Sequence, residues 1–300
     1  MSGTEGEGEV SWDGHRTWYR RRGEFAPGGP APIVLLHGGP GGTHDYLEPL
    51  LALGDSGRPV VLYDQLGNGR SDHLRDASAE FWTVELFKRE LSCVLEALGI
   101  DGRYLLLGQS WGGMLALEHA LERPSGLLGM VVADSPASMP LWVEEANRLR
   151  TALPADVQAV LSAHERAGTT DSPEYAQAVD VFNRLYVCRL DPWPEPLERA
   201  FALQREDPTV YGTMIGPSEF FVTGTLKDWD ITERLQEITT PTLLISGLHD
   251  EATPRIVEEV HRRMAGATWE LFESSSHTPH LEEPERFLAS CERFFGELVA

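Results

Sequence analysis

The chain has 300 residues, 41% of them apolar, with 47 acidic against 25 basic side chains and a formal net charge of −22. That length can bury a sizeable core, while the acidic balance argues against nucleic acid as a partner, because phosphate binding needs a basic surface. No apolar run approaches the roughly 20 residues that a membrane helix needs.

The Gly- and Glu-rich stretch from Met1 to Glu9 reads as a flexible lead without the basic and apolar regions of a secretory signal. Cys93, Cys188 and Cys291 are odd in number and widely spaced, with no C-x-x-C pair for zinc or redox chemistry. Both features fit a cytoplasmic protein with buried thiols. Residues 8–22 alternate about Asp13-Gly14, a dipeptide suited to a tight turn, and predict two antiparallel edge strands. Apolar runs of strand length follow at Pro32–Leu36, Pro59–Tyr63, Tyr104–Leu107, Leu127–Ala133, Thr242–Ser246 and Thr268–Phe272. Helical patterns fall between them, notably Ala79–Leu98 and Trp111–Glu122. Strands alternating with helices predict an α/β fold, a mostly parallel sheet covered on both faces, with its site at the C-terminal strand ends.

The alternation breaks between Met139 and Trp229, where helix-like segments such as Leu141–Leu153 and Pro173–Leu190 are punctuated by prolines. The expected organisation is therefore a core of residues 1–138 and 230–300, interrupted by a helical cap over 139–229.

Gly108-Gln109-Ser110-Trp111-Gly112 is G-x-S-x-G placed between an apolar strand and a helix, the setting of the nucleophile elbow of α/β-hydrolases. Ser110 is the expected nucleophile, and Trp111, opening the helix, has a free backbone N–H for an oxyanion. The second donor is expected from the Gly-rich loop after Leu36, at Gly39 with Gly38 as rival. His37 reads as a brace for that loop. In the order Ser, acid, His, the loop after the strand at 242–246 offers Asp250 and the loop after the strand at 268–272 offers His277. Asp134 is a rival acid, His249 and His280 are rival bases. This chemistry calls for no metal or organic cofactor.

Three segments, His37-Gly38-Gly39-Pro40-Gly41-Gly42, Asp64-Gln65-Leu66-Gly67-Asn68-Gly69-Arg70-Ser71 and Gly108-Gln109-Ser110-Trp111-Gly112-Gly113, resemble the proline iminopeptidase family, and the likeness runs from residue 30 to about 290. The resemblance implies a serine exopeptidase releasing one unblocked N-terminal residue, proline or a small residue such as alanine, from a peptide, amide or aminoacylated small molecule. It also implies that carboxylates of cap and loop hold the substrate's free amino group, here Glu219 and Glu251. A protonated amine between two shielded carboxylates makes physical sense, and an N-acylated substrate would leave both charges unpaired. Aromatic residues of the cap, Phe220 and Phe221, and Trp111 are expected to shape the acyl pocket. Leu66 departs from the arginine that many prolyl enzymes carry there. The sequence leaves the oligomeric state and the choice between peptide scavenger, metabolite-tailoring amidohydrolase and general carboxylesterase open.

Overall fold

The computed structural model describes residues 5–26 and 28–298. Eight strands form one sheet: β1 (Glu5–Trp12), β2 (His15–Arg22), β3 (Ile33–Leu36), β4 (Val60–Tyr63), β5 (Tyr104–Gln109), β6 (Leu127–Ala133), β7 (Thr242–Gly247) and β8 (Thr268–Phe272), in the order β1-β2-β4-β3-β5-β6-β7-β8. From β4 to β8 every pairing is parallel, and β1 and β2 join antiparallel. The helices are α1 (Val84–Ala97), α2 (Trp111–Leu121), α3 (Met139–Arg150), α4 (Ala155–Ala167), α5 (Pro173–Tyr186), α6 (Glu195–Glu206), α7 (Thr209–Met214), α8 (Pro254–Arg263), α9 (Pro279–Glu282) and α10 (Pro284–Glu297).

The strand runs lack polar alternation because both faces are covered. Val34 and Leu36 point into one apolar cluster, and Ile33 and Leu35 into the other. Leu106 and Leu107 divide the same way, as do Val132 and Val131. Each such side chain, once buried, contributes about 1.5–3 kcal/mol of transfer free energy. The two faces together make the sheet rigid enough to fix what its strand ends carry.

Four expectations need correction. The lead is not flexible throughout: Glu5 to Glu9 lie in β1, while Met1 to Thr4 fall outside the described residues. Acidic residues of β1 are laid beside arginines of β2, as in the 2.8 Å Glu5–Arg20 pair, and these cross-strand charges favour the longer hairpin. Of the hairpin's two strands only β1 is an edge strand, since β2 also pairs with β4. The 79–98 helix is broken: a short 3-10 turn, Ala79–Phe81, precedes α1, which starts after Thr83, whose side chain accepts the Leu86 N–H. Likewise α3 starts at Met139, because Ser138 caps it and Pro140 suits the first turn.

Between β6 and β7 the chain runs through α3 to α7. It leaves and returns at one point: Ser138 bridges Asp230, Met139 N–H donates to Trp229 O at 2.9 Å and Ile231 N–H to Ala137 O at 2.9 Å. The middle of this segment has its own apolar cluster, including Leu161, Tyr175, Phe182 and Phe220. Its later part packs on the sheet, through Trp193, Leu197 and Ala200 on one face and Val210 and Met214 on the other.

Candidate active site

The C-terminal ends of β3, β5, β6, β7 and β8 deliver His37–Gly39, Ser110, Asp134, Asp250–Glu251 and His277 to one edge of the sheet. Ser110 sits between β5 and α2 at φ 56, ψ −123, a strained conformation for a residue with a Cβ. The turn exists because its neighbours lack side chains. A Cβ on Gly108 would stand 2.1 Å from Gly112 O, and one on Gly112 would stand 2.0 Å from Leu36 O. Trp111 is the first residue of α2, so its N–H has no acceptor within the helix and the positive end of the helix dipole lies at the serine.

His277 Nδ1 lies 2.6 Å from Asp250 Oδ1, in a buried contact. Gln109 Nε2 donates to His277 O at 2.7 Å, and the Trp142 ring meets the imidazole edge-on at 5.9 Å. The structure thus brings the expected acid and base together. Ser110 and His277 line one cavity of ≈ 860 Å³, shared with Gly39, Glu219 and Glu251. No hydrogen bond joins Ser110 Oγ to His277 among the described residues; His277 Nε2 instead lies 3.6 Å from Glu251 Oε1. An unliganded site commonly holds base and nucleophile further apart than the reaction requires.

The rival bases are elsewhere. His280 is buried against Tyr46, with Nε2 3.2 Å from Tyr46 O, and burial pushes its imidazole down to about 3. His249 is half-buried and does not line the cavity. His37 is buried and held below its usual range by that burial; Gln65 N–H donates to its Nε2 at 3.0 Å, so it braces the loop.

A side chain that sequence reasoning missed bears on the choice between Gly38 and Gly39. Gly38 N–H donates to Tyr46 Oη at 2.7 Å, and Tyr46 Oη donates on to Gln109 Oε1 at 2.6 Å. Both glycines line the cavity, but Gly38 N–H is spent inside the protein, which leaves Gly39, at φ 116, as the candidate donor. A Cβ on Gly39 would collide with Gly41 N at 2.4 Å.

Asp64-Gln65 buttresses both the His37–Gly39 loop and the start of α2. Gln65 Nε2 donates to His37 O at 3.0 Å, while its Oε1 accepts from Trp111 Nε1 at 2.8 Å. Asp64 accepts the backbone N–H groups of His44 and Arg70, each at 2.8 Å. Leu66 N–H is held by Glu90, a buried carboxyl that burial pushes up to about 8. The Leu66 side chain is wholly buried in one sheet-face cluster and does not line the cavity. Trp111 needs the same correction: its indole turns into the core against Phe87 and Gln65, so only its backbone faces the site. Of the expected pocket aromatics, Phe220 lines the cavity and Phe221 does not; Tyr175, Phe182, Trp193, Phe201 and Tyr211, missed in the sequence, do.

Glu219 and Glu251 reach this cavity from the 139–229 segment and from the loop after β7. Tyr211 Oη donates to Glu219 Oε1 at 2.6 Å, and Trp142 Nε1 donates to Glu219 O at 3.1 Å. Glu251 Oε2 is buried with no hydrogen-bond partner. Among the described residues neither glutamate is paired with a lysine or arginine. Burial, with the neighbouring Glu219 and Asp250 charges, holds Glu251 well above the usual carboxylate range; burial also raises Glu219. Burial alone would lower the His277 imidazole, but Asp250, Glu251 and Glu219 outweigh it and push it up to about 9. His277 is the cation that acts on both glutamates.

The chain is similar to known proteins over nearly its whole length. Residues 31–284 match the family model described as alpha/beta hydrolase fold. The chain is 40% identical over 292 residues to the proline iminopeptidase of Heyndrickxia coagulans, covering 97% of this chain and 99% of that one. To the proline iminopeptidase of Saccharolobus solfataricus it is 38% identical over 268 residues, covering 89% and 86%. Among solved structures, VinJ superposes with a TM-score of 0.95 at 50% identity, covering 98% and 99% of the two chains. The proline iminopeptidase of Mycobacterium smegmatis superposes at 0.89 and 45%, covering 98% of each.

Proposed function

The chain belongs to the proline iminopeptidase family of α/β-hydrolase enzymes, and from that premise we propose that it releases an unblocked N-terminal residue, proline or a small residue such as alanine, from a peptide or amide by acyl-enzyme chemistry on Ser110. The observation that carries the reading is the orphaned, buried Glu251 carboxylate oxygen in the cavity that also holds Glu219, Ser110 and His277. A free α-amine is largely cationic near neutral pH and supplies a second positive charge beside the two glutamates.

With the ammonium seated between Glu219 and Glu251, the carbonyl of the same residue lies one carbon away and is presented to Ser110. The ammonium also offsets two of the three carboxylates that hold the His277 proton, so the substrate's own charge favours the neutral base. His277 takes the Ser110 proton as Oγ bonds to the carbonyl carbon, and Asp250 stabilises the imidazolium. The N–H groups of Gly39 and Trp111 receive the oxyanion. His277 returns the proton to the leaving nitrogen as the C–N bond breaks. Water then repeats the sequence on the ester and frees the amino acid. Residues 139–229 act as the cap, carrying Glu219 and much of the cavity wall.

The experiment is a comparison of kcat/KM on prolyl and alanyl anilides, their N-acetylated counterparts and a short-chain ester. Turnover of the free amines with loss on acetylation supports the reading; equal turnover of blocked and free substrates overturns it.

A further inference from the structure

A second carboxyl lies behind the acid–base pair. Asp134 follows β6 at φ 56 and is wholly buried. Its N–H donates to Ile245 O at 2.8 Å, which pins it to β7, and its Oδ1 accepts from Gly247 N–H at 3.3 Å. Three residues beyond Gly247, Asp250 uses Oδ1 for two contacts, His277 Nδ1 at 2.6 Å and the Ala252 N–H at 2.7 Å. The remaining oxygens, Asp134 Oδ2 and Asp250 Oδ2, are both buried, and neither has a donor. The bonds to Ile245 O and Gly247 N–H set the Asp134 carboxyl at the end of β7, where the loop carrying Asp250 begins. Two bare carboxylates side by side in a dry interior repel strongly, and each would leave an acceptor unsatisfied. A single proton between them removes both costs.

We propose that Asp134 is held as the neutral acid and donates its Oδ2–H to Asp250 Oδ2, which makes it a positioning residue for the acid of the Ser110–His277–Asp250 set; the inference rests on that assignment. The proton belongs on Asp134 because Asp250 already receives two short donors and Asp134 only the long one from Gly247. The groups facing Asp134 from the neighbouring elements point the same way. Asp250 comes from the loop after β7, Glu282 from α9 and the Tyr46 hydroxyl from the 3-10 segment His44–Ser56. Burial first, then the Asp250 charge, holds the Asp134 carboxyl well above the usual range. A donor on Oδ2 fixes the plane of the Asp250 carboxylate, keeping Oδ1 aimed at His277 Nδ1. The strand end that offered a rival acid in the sequence thus supplies the partner of the acid instead.

Asn reproduces this arrangement without a titrating proton: its NH2 donates to Asp250 Oδ2 and its carbonyl accepts from Gly247 N–H. Asp134→Asn is therefore expected to keep kcat/KM on a prolyl anilide within about threefold of the parent, whereas Asp134→Ala loses about tenfold or more in kcat, the size of one hydrogen bond to a charged group. Because the alanine variant also opens a cavity, which by itself destabilises the fold, a second measurement stands apart from activity. The infrared difference between the parent and Asp134→Asn at pH 8 should contain the C=O stretch of one buried protonated carboxyl, present in the parent alone. Asp134→Asn as impaired as Asp134→Ala, or no such band, overturns the proposal. Should the Asp250 assignment itself fail, Asp250→Ala would retain activity while the infrared band still reports whether Asp134 is protonated, so the two failures are separable.

Discussion

His277 Nε2 stands 3.6 Å from Glu251 Oε1, on the opposite side of the ring from the 2.6 Å contact between Nδ1 and Asp250. The base is flanked by carboxylates on both nitrogens, and they raise it to about 9 against the effect of burial. A base that is protonated at neutral pH cannot activate Ser110. The rate at which a neutral fluorophosphonate labels Ser110 should therefore rise with pH toward about 9. Glu251→Gln removes one of the carboxylates and should move that rise to lower pH. An unchanged profile would show that Glu251 does not act on the imidazole.

The same carboxylate should set substrate choice. Glu251→Gln and Glu219→Gln are each expected to lower kcat/KM on a free prolyl anilide by at least about thirtyfold, corresponding to about 2 kcal/mol for one partner of a buried charge pair. Activity on an N-acetylated substrate should rise relative to the free one. A uniform fall on both would assign the glutamates to stability alone.

Stability should follow pH with a defined sign. The folded His277 is raised above its ordinary 6.5, so it contributes stability that is present in full below about 6.5 and is lost as pH rises through about 9. Glu251 and Glu219, raised mainly by burial, act in the same direction, since ionising them costs more in the folded state. Thermal melts should fall between pH 7 and 10, and Glu251→Gln should flatten the fall.

The strained serine gives a paired test. Ser110 at φ 56 stores strain that glycine relieves and alanine keeps. Ser110→Gly should melt above Ser110→Ala, by about 1 kcal/mol or about 2 °C. Both should lose kcat by roughly a millionfold, as when a serine nucleophile is removed elsewhere. Equal melting temperatures would mean that the turn is not strained.

How far the sequence carried this reading depends on what each residue does. Apolar runs covered on both faces announce themselves, so β3 to β7 stand where the runs from Pro32–Leu36 to Thr242–Ser246 placed them, within a residue or two, and the partly exposed edge strand β8 stands at Thr268–Phe272. Ser110 was legible because its glycines are required by contacts as short as 2.0 Å. The pair of Asp250 and His277 followed from chain order along those strands. Tyr46 was illegible: it lies in a 3-10 segment with no motif, and only the folded chain brings its hydroxyl to Gly38 N–H. Gln65 and Gln109 stood inside the quoted motifs, but their partners, His37 O, Trp111 Nε1 and His277 O, are distant in sequence. Trp111 misled because an aromatic beside a nucleophile suggests a pocket wall, whereas the first turn of α2 aims its indole at the core.

The most direct test combines nucleophile and ammonium pocket in one experiment: label the protein with a fluorophosphonate in the presence of prolinamide or N-acetylprolinamide, then map the modified residue. The expected result is modification at Ser110 alone, slowed by the free amine and not by its acetylated form. Modification elsewhere, or equal protection by both amides, would contradict the reading of Ser110 as a nucleophile served by a pocket for a free amino terminus.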